Sequence, residues 1–414
     1  MLLSFFLSTM LFSGSLLAVT EGEPLTLKQV LDIAMRNNPQ LQQEKIRAYR
    51  ARSEQWSGLG FYNPEFTFLK EGIETAGTTG YVEKRLTLRQ NIDFPLKSLF
   101  RTRQLRAVTR NTEAMVRQRK LELVASIKKA YMQVTYAMKI RKLRQREHTI
   151  AEHLVSVSRQ RFESGDASEI ELLKAELQLL QAKNHLANTE NLWHQARYNL
   201  FEMMGLTPDE QSYDIAFPDT LYSIDIEVTE DDLLKKIDVM PVYIASQHAI
   251  QASLHEKRAA LSSWLPDISI SVYRQDYGSG YNFFGFEAGF SIPLWFFGNQ
   301  KIAHSRAEAS YRRAHVERSA IRLRMKKEIE LAWHRYVKNR EILNRYGQDI
   351  RERTRKLLQA TAEGYELGEV DLLDLLDTQR TWLQSEQHYY DALRDYYFSL
   401  IELEQYVDRE LVFN

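Results

Sequence analysis

The sequence predicts a mainly α chain with a small β part: long antiparallel helical hairpins forming an α-barrel, with four strands per chain, all tandem-duplicated. Three observations predict it. Two long stretches lack proline, a series of landmarks recurs in order, and short segments alternate between apolar and polar residues.

The helices come first. The nine prolines stand at 24, 39, 64, 95, 208, 218, 241, 266 and 293, so none lies between Pro95 and Pro208 and none follows Pro293. Proline costs about 3 kcal/mol inside a helix, and both proline-free stretches are rich in Ala, Leu, Glu, Gln, Lys and Arg, which favour helix. Gly165 is the only glycine within 96–204, and Gly347, Gly364 and Gly368 are the only ones after Gly298. Each stretch therefore reads as one very long helix, a glycine turn, and a second helix running back. Lys97–Glu163 and Asn299–Leu367 would each extend ~100 Å at ~1.5 Å per residue. Helices so long imply a coiled coil or a helical barrel.

The duplication shows in the landmarks. Asn38-Pro39 matches Met240-Pro241, and Tyr62-Asn63-Pro64-Glu65-Phe66 matches Trp264-Leu265-Pro266-Asp267-Ile268, each pair 202 positions apart. Phe162-Glu163-Ser164-Gly165 matches Tyr365-Glu366-Leu367-Gly368 at 203, and Ile92-Asp93-Phe94-Pro95-Leu96 matches Phe290-Ser291-Ile292-Pro293-Leu294 at 198. An ordered series at nearly one spacing marks an internal repeat. The halves run over 25–206 and 229–410, and 207–228, with Pro208 and Pro218, reads as a linker.

The strands follow from period-two alternation. Ile268, Ile270 and Val272 alternate with Ser269, Ser271 and Tyr273; after a turn at Tyr277-Gly278-Ser279-Gly280, Phe284, Phe286, Ala288, Phe290 and Ile292 alternate with Gly285, Glu287, Gly289 and Ser291. The first half is noisier. Phe66 and Phe68, then Leu86, Leu88, Ile92 and Phe94, form the apolar set, with Gln90 an exception. The pattern fits a soluble hairpin packed on a helix, or hairpins of a transmembrane barrel with one face to lipid.

Composition bounds the function. Charged residues are 27% and the formal net charge is zero, which speaks against a strongly basic nucleic-acid binder. With no cysteine there is no disulfide, no thiolate metal site and no Cys nucleophile. His148 and His153 are five apart, off one helical face, and His255-Glu256 is not followed by the second His of a zinc-protease helix. There is no phosphate loop, dinucleotide fingerprint or nucleophile elbow. The expectation is a protein without cofactor or catalytic centre. The tyrosines from Tyr389-Tyr390 to Tyr396-Tyr397 read as helix packing.

The first residues, MLLSFFLSTMLFSGSLLAVT, read as a signal peptide over 1–19, cleaved near Ala18 to Thr20, although no Lys or Arg precedes the apolar run. No later segment offers the ~18 apolar residues of a spanning helix, so a membrane crossing would have to be a barrel. Four strands cannot close around a lumen, and open edges in a bilayer are prohibitive. Three chains pooling their strands make a twelve-stranded barrel, and the same pooling sets twelve helical strands around one axis.

The patterns LTLKQVLDIAMRNNPQL, RFESGDASEIELLKAELQLLQA, ISIPLWFFGNQK and GYELGEVDLLDLLDTQRTWLQSEQHYYDALRDY carry a resemblance across about 25–410. On them the chain resembles the outer-membrane efflux protein family, the TolC-like channels. The resemblance implies a homotrimeric passive exit duct in the outer membrane, with a long periplasmic extension. Its partners would be a periplasmic adaptor and an inner-membrane pump; metal-ion, drug and protein export are all open. The family narrows its duct with a D-x-x-D pair of inward acids at the periplasmic tip. The matching residues are Asp374 and Asp377, with Asp371 an extra acid one turn earlier; the plain alternative is a solvated acidic face. The family's gate link maps to Tyr365 and Glu171. Where its archetype has a further arginine, this chain has Val370, so that link is absent. Adaptor docking maps to Arg161, Gly165, Ser168 and Gly368, with Asp166 in place of a common Leu. The competing reading is a structural periplasmic or surface coiled-coil protein, which has no use for the alternating segment 282–293.

Overall fold

A computed structural model describes residues 25–72, 81–207, 228–278, 282–292, 294, 298–407 and 411–412. The expected signal peptide, nearly all of the expected linker, Ser279-Gly280 and Pro293 lie outside the described residues.

Each half opens with a helix pair whose first member is capped. In the first, α1 (Leu27–Asn37) starts at Thr26, which with Gln29 forms a reciprocal capping box. Asn38 then caps α2 (Pro39–Glu54), whose proline sits at the first turn, where its missing N–H costs nothing. In the second half Thr229 caps α5 (Glu230–Lys235), and Pro241 opens α6 (Pro241–Ser262). Thr26 and Thr229 lie 203 apart, so the repeat reaches down to its caps.

The strands are β1 (Glu65–Glu71), β2 (Glu83–Ile92), β3 (Asp267–Asp276) and β4 (Asn282–Ser291), in one antiparallel sheet of order β1-β2-β3-β4. The halves therefore meet at β2–β3, where Leu88 faces Val272 and Ile92 faces Ile268. The register gathers Phe66, Phe68, Leu86, Leu88, Ile270, Val272, Phe286 and Phe290 on one face. That face is bare in the single chain: Phe66, Phe286 and Phe290 are each about two-thirds exposed. Gln90, the exception in the pattern, does sit on it, opposite Ile270, but at the end near the helices, where its amide donates to the Tyr62 and Asn91 carbonyls. The other face carries Arg85, Thr87, Arg89, Ser271 and Glu287, and there Tyr273 covers Gly285 while Arg85 lies over the Tyr273 ring at 5.2 Å. A sheet with an exposed apolar face, a polar opposite face and uncovered β1 and β4 edges is one segment of a closed wall between lipid and water.

From the sheet the chain enters α3 (Pro95–Ser164), 70 residues or ~105 Å in one piece. Lys97 anchors its start to Asp267 of β3 at 2.6 Å. After the tip, α4 (Glu169–Met204) returns along it. The second half differs from the single helix expected over Asn299–Leu367. Here α7 (Asn299–Arg345) runs into a π-helical turn at Tyr346–Ile350, and α8 (Arg351–Glu366) continues to the second tip. Gly347 in this turn loosens the backbone, and Arg351 just beyond it fixes the exit: its guanidinium gives two 2.8 Å hydrogen bonds to Glu386 and stacks 4.0 Å over Tyr389. α9 (Leu372–Glu404) closes the second hairpin.

Two apolar cores hold the upper part. Leu25, Val30 and Leu41 pack with Ile127, Val134, Leu200 and Phe201 in one, and Leu233, Tyr243, Ile329, Tyr336, Tyr396 and Leu400 form the other. The expected packing role of Tyr396 and Tyr397 is met there. No described helix is long and apolar enough to cross a membrane. The regular strand β4 over 282–291 is the feature a coiled-coil protein would not need.

Candidate functional site

The two helical hairpins end side by side, and their tips repeat one motif. Gly165 and Gly368 both adopt left-handed backbone, φ +85° and +80°, which glycine enters without strain. At the first tip the Arg161 carbonyl accepts from the N–H groups of Asp166 and Ala167. At the second the Gly364 carbonyl accepts from Glu369 and Val370. Three residues past each glycine a side chain caps the returning helix: Ser168 Oγ accepts from Glu171 N, and Asp371 Oδ1 accepts from Asp374 N at 2.8 Å.

Asp371, expected as an extra acid beside the inward pair, caps α9: its carboxylate accepts from a backbone donor. Asp374 and Asp377 do stand free of the core. Leu372, Leu375 and Gln379 mark the buried face of α9, and at ~100° per residue the two acids project from the opposite side.

Tyr365 holds the hairpins together. Its ring is buried among Leu154, Ala175, Leu372 and Leu375, and its hydroxyl meets Ser158 Oγ of α3 at 2.9 Å. Arg161, also on α3, donates from Nη1 to the Tyr365 carbonyl at 2.9 Å and lays its guanidinium over the ring at 4.7 Å. His153 and Glu366 add a looser contact at 3.8 Å. The Tyr365 hydroxyl is thus paired with Ser158 and not with Glu171, which occupies the third position of α4 and uses its backbone N–H on the Ser168 cap. The two expected link residues are not brought together within the chain.

Arg161 was expected at a docking surface. Its guanidinium is turned inward instead and supplies an arginine link between hairpins. At the position two past Gly368, Val370 folds back onto Gly364, where an added Cβ would lie 2.6 Å from Val370 Cγ2. The repeat explains the exchange. Arg161 and Ala167 correspond to Gly364 and Val370, 203 positions on, so each tip pairs one small residue with one larger. Gly165, Ser168 and Gly368 remain at the exposed end.

Ser158 and the role of Arg161 were missed from sequence. The signal was present: Glu147, Ala151, Leu154, Ser158 and Arg161 recur every third or fourth residue, the face α3 turns inward. Glu147, deeper on that face, is held by Arg144 at 2.8 Å and His185 at 3.1 Å. Further up, Glu402 bridges Lys129 and Arg335, each at 2.7 Å, and Lys128 is buried against Glu404. Among the described residues no cluster of three His, Cys, Asp or Glu has a metal-holding arrangement.

The family model for outer membrane efflux proteins matches residues 30–206 and 244–408. No curated protein sequence matches the chain. Among solved structures, the outer-membrane channel OprN superposes with TM-score 0.79 at 20% identity, over 92% of this chain and 89% of that one. CusC, described by its transmembrane channel formation, gives 0.78 at 17%, over 92% and 91%. The outer membrane protein VceC of Vibrio cholerae gives 0.77 at 15%, over 92% and 95%. At these identities the superpositions speak for the fold, and the family match, which spans most of the sequence, speaks for the lineage. The chain belongs to the outer membrane efflux protein family and is an outer-membrane channel of the tripartite efflux type, its helices reaching into the periplasm.

Proposed function

We propose that the chain is one third of a passive exit duct: a homotrimer whose pooled sheets close a twelve-stranded barrel and whose hairpins close a tube. One observation carries this reading. The sheet has a bare apolar face and two uncovered edges, a state that only closure by further copies relieves in a bilayer. The hairpins support it. Ile170, Leu173, Leu177 and Leu180 form a heptad-spaced stripe on α4, each more than half exposed in the single chain. On α7, Ile302, Val316 and Leu323 form a second stripe with the same period. In this reading the stripes pack on neighbouring copies. The three copies' Asp374 and Asp377 form acidic rings at the periplasmic end, favouring cations. The Tyr365 lock holds that end narrow, and an adaptor docks on the exposed tips around Gly165, Ser168 and Gly368, joining the duct to an inner-membrane pump. The duct performs no chemistry of its own.

The test uses the absence of cysteine. Leu177 lies 12 residues beyond Gly165 and the exposed Leu357 lies 11 before Gly368, so both sit at about one height. Leu177→Cys with Leu357→Cys, oxidised in outer-membrane fractions, should give covalent dimers and trimers on non-reducing gels. Monomer only, with intact membrane insertion, would remove the proposed seam.

A further inference from the structure

A cavity of about 430 Å³ lies directly behind the tip lock, between α3 on one side and α8 and α9 on the other. Its walls are almost wholly apolar: Leu154, Val157, Leu358, Ala362 and Leu375, with Tyr365 itself forming one side. The size lies in the range of small-molecule sites, about 300–1,000 Å³. One wall residue does not fit an apolar packing role. Gln379 is 1% exposed and lines the cavity, yet neither its amide nitrogen nor its amide oxygen has a hydrogen-bond partner among the described residues. A buried amide with both ends unpaired is unfavourable in a folded protein. It stands one turn above Leu375, away from the tip, on the buried face of α9. Unpaired polar atoms at the edge of an apolar cavity are the usual composition of a ligand site: a large nonpolar surface and few orienting groups.

We propose that this cavity is a binding site for a small, uncharged, largely apolar molecule carrying one group that both donates and accepts a hydrogen bond, such as a carboxamide. The apolar body fills the space between α3 and α8, and the polar group pairs with the Gln379 amide after rotation of its terminal torsion. The rim carries His153 and Glu366, 3.8 Å apart, together with Arg355, but the walls beneath are apolar and the buried polar group among them, the Gln379 amide, is neutral, which favours an uncharged ligand. The walls come from both hairpins, so the site exists only while they lie together. An occupant therefore favours the arrangement in which Tyr365 is locked. The consequence for conduction rests on the duct reading above; the binding does not.

The test uses the full chain in lipid nanodiscs. The probes are 2-naphthamide and its hydrocarbon counterpart 2-methylnaphthalene, followed by fluorescence as saturable binding above that of nanodiscs without protein. The amide should bind about tenfold more tightly than the hydrocarbon, the worth of one to two net hydrogen bonds. Gln379→Leu should erase that preference while keeping hydrocarbon binding, and Ala362→Trp, which fills the space, should abolish both. Equal affinities in the wild type, an undiminished preference in Gln379→Leu, binding that survives Ala362→Trp, or no saturable binding would each overturn the site. In planar bilayers 2-naphthamide should lower the open probability of the wild type and leave Gln379→Leu unchanged; a rise, or no change in the wild type, overturns the link to the lock. A chain that binds the amide and conducts no ions would sink the duct reading and leave the site standing.

Discussion

Removing one hydroxyl at the tip separates two accounts of how the hairpins are held. Tyr365→Phe deletes the Oη that meets Ser158 at 2.9 Å, in a place where both side chains are about 1% exposed or less. A neutral hydrogen bond is worth about 0.5–1.5 kcal/mol net, and the Ser158 hydroxyl left buried and unpaired pushes the loss toward the upper end. In a trimer whose tips part together the three losses add to about 3–4 kcal/mol. At about 1.4 kcal/mol per factor of ten, that is a shift of at least a hundredfold in the balance between narrow and wide tips. Ser158→Ala should give a similar shift, and the double variant little more than either alone, since both delete one bond. Arg161→Ala should act more strongly, because it removes a charged hydrogen bond to the Tyr365 carbonyl and a cation–ring contact at 4.7 Å. Glu171→Gln should leave the gate as it was. The assay is single-channel recording in planar bilayers, with open probability and conductance read for each variant. The reasoning fails if Glu171→Gln widens the channel while Ser158→Ala does not.

Three further outcomes are expected. Gly364→Ala should destabilise the second tip by about 1–3 kcal/mol through its clash with Val370, read as faster proteolysis at 364–371, and Gly364→Ala with Val370→Ala should restore much of the loss. Phe286→Arg, on the apolar face of β4, should cost about 2–4 kcal/mol and reduce assembly into heat-modifiable oligomers, whereas Glu287→Arg, exposed on the other face, should assemble normally. His255 stacks on Phe100 at 6.5 Å, and burial, then the Arg258 and Arg103 charges, hold its pKa below the usual 6.5. A depressed folded pKa means stability is full above about 6.5 and lost as pH falls through that value toward the folded one. Melting temperature should therefore drop between pH 8 and pH 5, and His255→Phe should shrink the drop; an equal drop in the variant would remove His255 as its source.

What the sequence carried was what backbone chemistry dictates. Proline exclusion and lone glycines bounded α3 within two residues, because one proline or one left-handed glycine decides a helix end whatever surrounds it. Alternation placed all four strands for the same reason: neighbouring residues of a strand face opposite solvents. The π-helical turn was not readable, since Tyr346-Gly347 would sit as well in a straight helix; it is fixed by Arg351 meeting Glu386 across 35 residues. At the tips the two glycines and Tyr365 were legible as landmarks. Their partners were not. Spacing puts residues on a face but does not say which polar group a buried hydroxyl meets, so Ser158 went unnoticed and Arg161 was given to the outside. The cap made by Asp371 was not separable in sequence from a pore charge, because an acid three residues past a turn glycine serves equally well as either.

The duplicated tips have a consequence for how an aperture works. In the proposed homotrimer, two hairpins from each of three chains would set six near-equivalent teeth around one axis, in alternating kinds. Six identical teeth would have one common equilibrium, and the ring would open only as a whole. Here the teeth differ where it matters: one kind offers Arg161 and the other Tyr365, so one grips and the next is gripped. A duplicated gene that has diverged at its turn can move every second tooth while the rest stay as a fixed collar, and an iris needs only that much asymmetry to dilate without coming apart.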